Sequence, residues 1–280
     1  MQQRTFEEVR ESLRGKVILV ANRGIPARRI SRSIRERFEA IAAITATDID
    51  KTEPAAASAQ ELILLGADPR AYLDLPRIIR LARERGCVAI HPGWGFASED
   101  NNFPKLCAEA GITFIGPSST ILAQMGDKLA AKATAIACNV PTIPGSTEPL
   151  KDADDAVARA VSYGFPIILK AAAGGGGRGM RRCDNEEEVR LQFQLVKNEA
   201  KKAFGNEDIF IEKFLVEPKH IEVQILADKH GNVYHLGERD CSLQRRYQKV
   251  VEFAPAWSVP KDTIERLRAD AVKIARHVGY

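Results

Sequence analysis

No apolar run in the 280-residue sequence approaches the roughly 20 residues that a helix needs to cross a bilayer, so a membrane-spanning role is not expected. Cysteines are few and scattered. Cys87, Cys107, Cys138, Cys183 and Cys241 show no C-x-x-C spacing, which argues against a zinc site or a disulfide frame and for reduced thiols in a cytoplasmic protein. Aromatic residues make up only 6%, too few for the stacking platforms of a single-strand nucleic-acid binder. Excess charge of one sign is also missing: 41 Lys and Arg against 37 Asp and Glu leave +4. Nothing in that balance calls for a polyanionic partner. The opening MQQRTFEEVRESLRGK has no apolar core of a signal peptide, and its acids argue against a transit peptide. Neither nucleic acid nor membrane is therefore expected as a partner.

What is present is an ordinary globular composition, 45% hydrophobic and 28% charged. The first half alternates short β-branched runs with amphipathic segments. KVILVA (16–21), AIAAITA, CVAIHPG and ITFIGPS read as strands, and NRGIPARRISRSIRERF, LPRIIRLARERG and FPKLCAEAG as helices. Strands alternating with helices imply a parallel sheet covered on both faces, a Rossmann-like domain over residues 1–126. The pattern then changes. MGDKLAAKATAIACNV is expected as one helix, DADDAVARAVSYG as another, and FPIILK and MRRC as strands flanking a glycine run. Asp184 and Glu187 suggest a capping box before a long helix. This piece, about 142–215, reads as a small α+β unit. KHIEVQILA and VYHLGERD then form a hairpin around DKHGN, with Ile221, Val223 and Ile225 alternating with His220, Glu222 and Gln224.

The glycine run LKAAAGGGGRGMRRC (169–183) poses the main functional question. A flexible linker would not be bracketed by strands. A Walker A loop requires Gly-Lys-Ser/Thr opening a helix, and none follows Gly179. G-x-G-x-x-G matches by accident within any glycine run. What remains is a hairpin tip whose backbone N–H groups, unshielded by Cβ atoms, approach phosphate oxygens. Lys170, just before the loop, reads either as an ordinary edge lysine or as a cation against those phosphates. Lys128 in MGDK stands near a helix start, where N–H groups also favour phosphate.

Seven segments together resemble the biotin carboxylase family of ATP-grasp proteins, in the family's order. They are HPGWGFASED (91–100), ITFIGPSS (112–119), MGDK (125–128), FPIILKAAAGGGGRGMR (165–181), IEKFL (211–215), KHIEVQILAD (219–228) and ERDCSLQRRYQKVVEFAPA (238–256). The resemblance implies an α/β protein with an N-terminal Rossmann-like (pre-ATP-grasp) domain, residues 1–126. An ATP-grasp domain, 127–280, would follow, with a mobile α+β lid and a truncated C-terminal part. The implied activity is that of an ATP-dependent C–N ligase: MgATP phosphorylates bicarbonate, and the carboxyphosphate carboxylates biotin on a carrier. Implied ATP contacts are Lys128, Lys170, the lid glycines Gly174, Gly175, Gly176, Gly177 and Gly179, the adenine strand Glu212, Lys213 and Leu215, and His220, Gln244 and Tyr247. Lys249 matches a catalytic lysine near bicarbonate. Implied cofactors are ATP, Mg²⁺ or Mn²⁺, and biotin as carrier-bound substrate. Implied partners are a biotin carboxyl carrier, a carboxyltransferase and a second copy of the chain, since the family often dimerises.

Two substitutions depart from the family pattern. Trp94 stands where tyrosine is common, which reads as a packing change. Tyr247 replaces a histidine; its phenol can still hydrogen-bond to a ribose but cannot carry positive charge. The family also continues beyond HVGY into strands bearing a pair of metal-binding glutamates, a bicarbonate-clamping arginine and a catalytic base. No metal-ligand set is therefore expected within residues 1–280, and the chain alone is expected to be inactive. Another ATP-grasp ligase, such as a carbamoyl-phosphate synthetase-like enzyme, and a non-catalytic ATP-binding module remain alternatives. The final carboxyl acceptor is not readable from these residues.

Overall fold

The computed structural model of the chain describes residues 4–172, 179–245 and 248–280. The chain separates into two compact units, Met1–Gly126 and Asp127–Tyr280. The first contains α1 (Phe6–Leu13), β1 (Val17–Val20), α2 (Gly24–Phe38), β2 (Ile41–Ala46), α3 (Pro54–Ala57), β3 (Glu61–Leu64), α4 (Leu75–Glu84), β4 (Cys87–His91), α5 (Asn102–Glu109), β5 (Thr113–Phe114) and α6 (Ser119–Gly126). The strands run parallel in the order β3-β2-β1-β4-β5. The apolar run of β1 serves both faces of this sheet. Leu19 joins a core with Ile78 and Ile79 of α4 and Phe103 and Cys107 of α5, while Ile18 and Val20 pack with Ala27 and Ile34 of α2 and Ala55 of α3. A strand covered on both faces is apolar throughout, as the sequence predicts.

β3 is a fifth strand that the sequence reading does not anticipate. It pairs only with β2 among the described residues, and Ile63 is its one fully buried residue. A short edge strand beginning with glutamate gives too little periodicity to read. The loop after β4 is held from β1: Asn22 Nδ2 donates to the carbonyls of Pro92 (2.7 Å) and Trp94 (2.9 Å). Gly93, at φ +68°, lies against that side chain, and a Cβ there would sit 2.5 Å from Asn22 Nδ2. His91 Nδ1 accepts the Gly93 N–H at 3.0 Å. Burial holds its imidazole below the ordinary histidine range. His91 is thus a turn-building residue.

The second unit contains α7 (Lys128–Ala137), α8 (Ala153–Tyr163), β6 (Ile167–Ala171), β7 (Met180–Cys183), α9 (Glu186–Phe204), β8 (Ile209–Lys213), β9 (Ile221–Ala227), β10 (Val233–Arg245), β11 (Gln248–Phe253) and α10 (Lys261–His277). Two antiparallel sheets form, ordered β7-β6-β8 and β11-β10-β9. Two expectations change and one strand is added. The segment from Met125 is not one helix: α6 ends at Gly126, and Asp127 turns to extended geometry and caps α7 by accepting the Ala130 N–H at 2.8 Å. The capping pair of α9 is displaced by one residue, to Asn185 and Glu188. Asn185 accepts the Glu188 N–H at 2.9 Å, whereas Asp184 is taken by the Arg182 guanidinium at 2.7 Å. Gln248–Phe253, for which the sequence analysis makes no secondary-structure assignment, forms strand β11 beside β10.

Strand parity decides which side chains become available. On β6 and β8, Ile167, Leu169, Ile209 and Ile211 share a core with Ala156, Val157 and Ala160 of α8 and Val189, Phe193 and Val196 of α9. Their alternates, Ile168, Lys170, Phe210 and Glu212, therefore face the opposite side. The register pairs Ile168 with Glu212 and Lys170 with Phe210, which makes Lys170 and Glu212 diagonal neighbours.

Candidate active site

The first cluster of functional side chains forms around Glu212. Its carboxylate accepts a hydrogen bond from Lys170 on one oxygen and pairs with Lys132 at 3.4 Å on the other. Lys128, at the first turn of α7, is held below the ordinary lysine range. Burial is the main cause, repulsion from Lys170 adds to it, and Glu212 works in the opposite sense. The sequence-predicted residues Lys128, Lys170 and Glu212 thus meet electrostatically. Lys132, which the sequence reading missed, completes the group. Its only sequence signal is its place four residues after Lys128, on the same helical face.

Lys213 and Leu215 lie at the end of β8. The Lys213 ammonium does not reach the cluster; it donates to the carbonyls of Gly164 (2.9 Å) and Phe165 (2.8 Å). Its side chain therefore ties the turn before β6, leaving backbone groups as its available contact to a ligand. The Lys213 N–H is committed to Pro144 O at 2.8 Å, whereas the Leu215 N–H has no hydrogen-bond partner among the described residues. Gly179, at φ +68°, accepts the Ala171 N–H at 2.9 Å through its carbonyl and closes the base of the β6–β7 hairpin. Gly174, Gly175, Gly176, Gly177 and Tyr247 lie outside the described residues.

A second cluster lies on the β9–β10–β11 sheet. His220 Nδ1 and Gln244 Nε2 are 2.9 Å apart, and Gln244 also donates to Cys241 O at 3.0 Å. Lys249 donates to Glu222, which also accepts from Arg239. Glu252 approaches Arg239 at 3.3 Å and Lys249 at 3.7 Å. The hydrogen bond to Glu222 is the main reason that the Lys249 ammonium sits above the ordinary lysine range. Burial alone would raise Glu222, but the bonds from Lys249 and Arg239 outweigh it and hold the carboxyl below its ordinary value. Gln244 and Lys249 are thus carried by one sheet, together with Glu222 and Arg239, and His220 stands just before its strand β9.

Glu222, Cys241 and Glu252 present three potential ligand atoms within 4.8 Å of one another. They do not fit Mg²⁺ or Mn²⁺. Mg²⁺ asks for an octahedral oxygen set, whereas this group offers a thiol whose pKa burial raises and two carboxylates already engaged by Arg239 and Lys249. No step of the chemistry is assigned to a metal at these residues.

A lysine-bearing strand thus lies at the base of the β6–β7 hairpin with a helix-borne lysine beside it, and a second sheet carries further polar side chains. The family model described as carbamoyl-phosphate synthase L chain, ATP binding domain, matches residues 127–280. The model of the biotin carboxylase N-terminal domain matches residues 14–122. The chain belongs to the biotin carboxylase family of ATP-grasp proteins. It is 50% identical over 266 residues to pyruvate carboxylase 1 of Caenorhabditis elegans, covering 94% of this chain and 23% of that protein. It is 47% identical over 266 residues to the 2-oxoglutarate carboxylase small subunit of Hydrogenobacter thermophilus, covering 95% of this chain and 56% of that subunit. The crystal structure of the biotin carboxylase domain dimer of that 2-oxoglutarate carboxylase, in complex with MgADP, ADP and bicarbonate, superposes with a TM-score of 0.88. It is 46% identical, and the match covers 95% of this chain and 58% of that one. The chain therefore spans about a quarter to rather more than half the length of these relatives.

Proposed function

We propose that the chain contributes the N-terminal domain (1–126) and much of the ATP-grasp domain (127–280, lid about 142–215) of a biotin carboxylase. In the proposed reaction, bicarbonate attacks the γ-phosphorus of MgATP, giving ADP and carboxyphosphate. The carboxyl group then passes to N1′ of carrier-bound biotin and phosphate leaves. The observation that carries this reading is the convergence of Lys128 and Lys170 on Glu212 at the base of the glycine hairpin, in a chain so similar to a domain solved with MgADP and bicarbonate.

In this reading Lys128 and Lys170 oppose the charge of the ATP phosphates, and the glycines Gly174 to Gly177 with Gly179 close backbone N–H groups over them. The free Leu215 N–H and the backbone at Lys213 offer an edge for adenine. His220, Gln244 and Tyr247 serve as polar nucleotide contacts. Lys249, kept protonated by Glu222, stabilises the oxyanion of bicarbonate and of carboxyphosphate. A biotin carboxyl carrier, a carboxyltransferase and a second copy of the chain are the proposed partners. A cytoplasmic location is supported by five cysteines that are all buried and unpaired. Among the described residues no helix is long and apolar enough to cross a membrane.

Calorimetric titration of the purified chain with ATP tests the reading. Binding is expected in the wild type. Lys170→Met and Lys128→Met should each lose a charge-assisted contact of about 1.5–3 kcal/mol, a roughly ten- to hundredfold rise in Kd. Absence of ATP binding in the wild type, or unchanged Kd in both variants, refutes it.

A further inference from the structure

Lys132 has no role in the proposed reaction, yet its side chain is only 10% exposed, beside a Glu212 side chain at 13%. A lysine is seldom buried to that degree unless paired. Its partner is the same carboxylate that holds Lys170. The carboxylate is divided between them, one oxygen for each ammonium.

Glu212 is held in place from the backbone outward. The Ser146 N–H donates to Ile211 O at 2.9 Å, Ser146 Oγ accepts the Ile211 N–H at 3.1 Å, and the Lys213 N–H donates to Pro144 O at 2.8 Å. Gly145 is pressed so closely against this segment that a Cβ there would lie 2.7 Å from Glu212 Cγ and 2.8 Å from Lys132 Nζ. Lys132 is fixed in turn by α7, whose N-terminus Asp127 caps. Glu212 is thus held in place when Lys170 moves, and Lys132 stays within reach of it from α7.

We propose that Lys132 is a positioning residue for Lys170: by holding Glu212 neutralised, it allows the Lys170 ammonium to leave that carboxylate for an incoming phosphate. Without Lys132, departure of Lys170 would strand a largely buried carboxylate, so Lys170 would stay bound to Glu212. With Lys132 in place, the exchange of Lys170 from carboxylate to phosphate leaves both anions paired. Lys132 touches neither nucleotide nor reacting atoms in this account, and the inference about nucleotide rests on the proposed ATP site.

Two measurements on the purified chain separate the inference from that reading. The first needs no nucleotide. Acylation of Lys170 by a water-soluble amine reagent, followed by mass spectrometry, should slow severalfold in Lys132→Met, because Glu212 then has Lys170 as its main counter-ion. Lys132→Arg should restore the wild-type rate, and Lys132→Met combined with Glu212→Gln should release Lys170 again. The second is ATP affinity. Lys132→Met should raise Kd about tenfold and Lys132→Arg should not. Equal Lys170 labelling in wild type and a folded Lys132→Met overturns the inference, whatever the protein binds. A labelling shift without ATP binding by the wild type upholds the coupling and overturns the ATP site. A labelling shift with unchanged Kd in Lys132→Met overturns the role in phosphate binding.

Discussion

Gly145→Ala is a demanding test of how the second unit holds Glu212. Gly145 does not occupy the left-handed region, so its φ is open to any residue. At such a position alanine ordinarily stabilises a protein by about 0.4–1 kcal/mol, by narrowing the unfolded ensemble. Here the contacts reverse the sign. The new Cβ would lie 2.5 Å from Ile211 O, 2.7 Å from Glu212 Cγ and 2.8 Å from Lys132 Nζ. Lys132 could yield, but the carbonyl cannot. Ile211 is wholly buried in the core against α8 and α9, and its carbonyl already accepts the Ser146 N–H. Relief must come from the 144–146 segment moving off β8, which breaks or lengthens the Ser146–Ile211 and Lys213–Pro144 bonds. Two such bonds at about 1 kcal/mol each, with residual overpacking of about 1 kcal/mol, give a loss of about 2–4 kcal/mol. That corresponds to a melting temperature lower by roughly 5–15 °C for a unit of this size. Gly126→Ala is the control: its Cβ would meet nothing within 4 Å, so a neutral or slightly stabilising change is expected at the end of α6. Thermal unfolding followed by circular dichroism measures both. A Gly145→Ala protein melting at or above the wild type would refute the steric argument.

Glu238 and the cysteines supply two further predictions. Glu238 is 4% exposed and accepts from Arg268 Nε at 2.8 Å and the Ala256 N–H at 3.3 Å. Burial would raise its pKa, but these bonds prevail and hold it below the ordinary glutamate range. A carboxyl depressed in the folded state contributes stability above its unfolded pKa of about 4.3, lost as pH falls through its folded value. Glu238→Gln should therefore be less stable than wild type at pH 7, with the gap closing below pH 4; denaturant midpoints across that range decide it, and a constant gap refutes the assignment. Cys87 and Cys183 are pushed up to about 11 and Cys107 to about 12, chiefly by burial. Thiolate is the reactive form, so an aromatic disulfide reagent should label these thiols at pH 8 only after denaturant is added. Rapid labelling of the native chain would contradict their burial.

Much of the fold is legible because burial imposes periodicity. KVILVA announces a two-faced central strand, and FPIILK places Lys170 opposite the face that carries Ile167 and Leu169. The partners of the lysines are less legible, because they depend on register and on segments distant in sequence. Glu212 reaches Lys170 across 42 positions and Lys132 across 80. A lysine on an Ala-rich helix otherwise reads as solvated, since nothing local marks the buried acid that awaits it. Glu222 and Lys249 meet only once β11 folds back on β10, and QKVVEF is too short and weakly alternating to announce that strand. The capping shift at α9 has a similar origin. Asp184 and Asn185 are both good caps, and the Arg182 guanidinium that engages Asp184 decides between them.

The two clusters of the second unit differ in charge balance, and the difference matches the proposed division of work. Around Glu212 stand Lys128, Lys132 and Lys170, and both Lys132 and Lys170 share its one carboxylate. Around Lys249 stand Arg239, Glu222 and Glu252, two cations against two carboxylates. Desolvation and repulsion from Lys170 both disfavour the charged form of Lys128, and its lowered pKa records that cost. In the proposed function the ATP phosphates would recover it on binding. A balanced cluster holds one lysine protonated and oriented without attracting a multiply charged anion strongly, which suits a singly charged bicarbonate. A neutral substitution in the first cluster should therefore change nucleotide affinity with a steep dependence on salt. The same change at Lys249 should alter turnover of the complete enzyme while leaving the affinity for ATP and its salt dependence close to wild type.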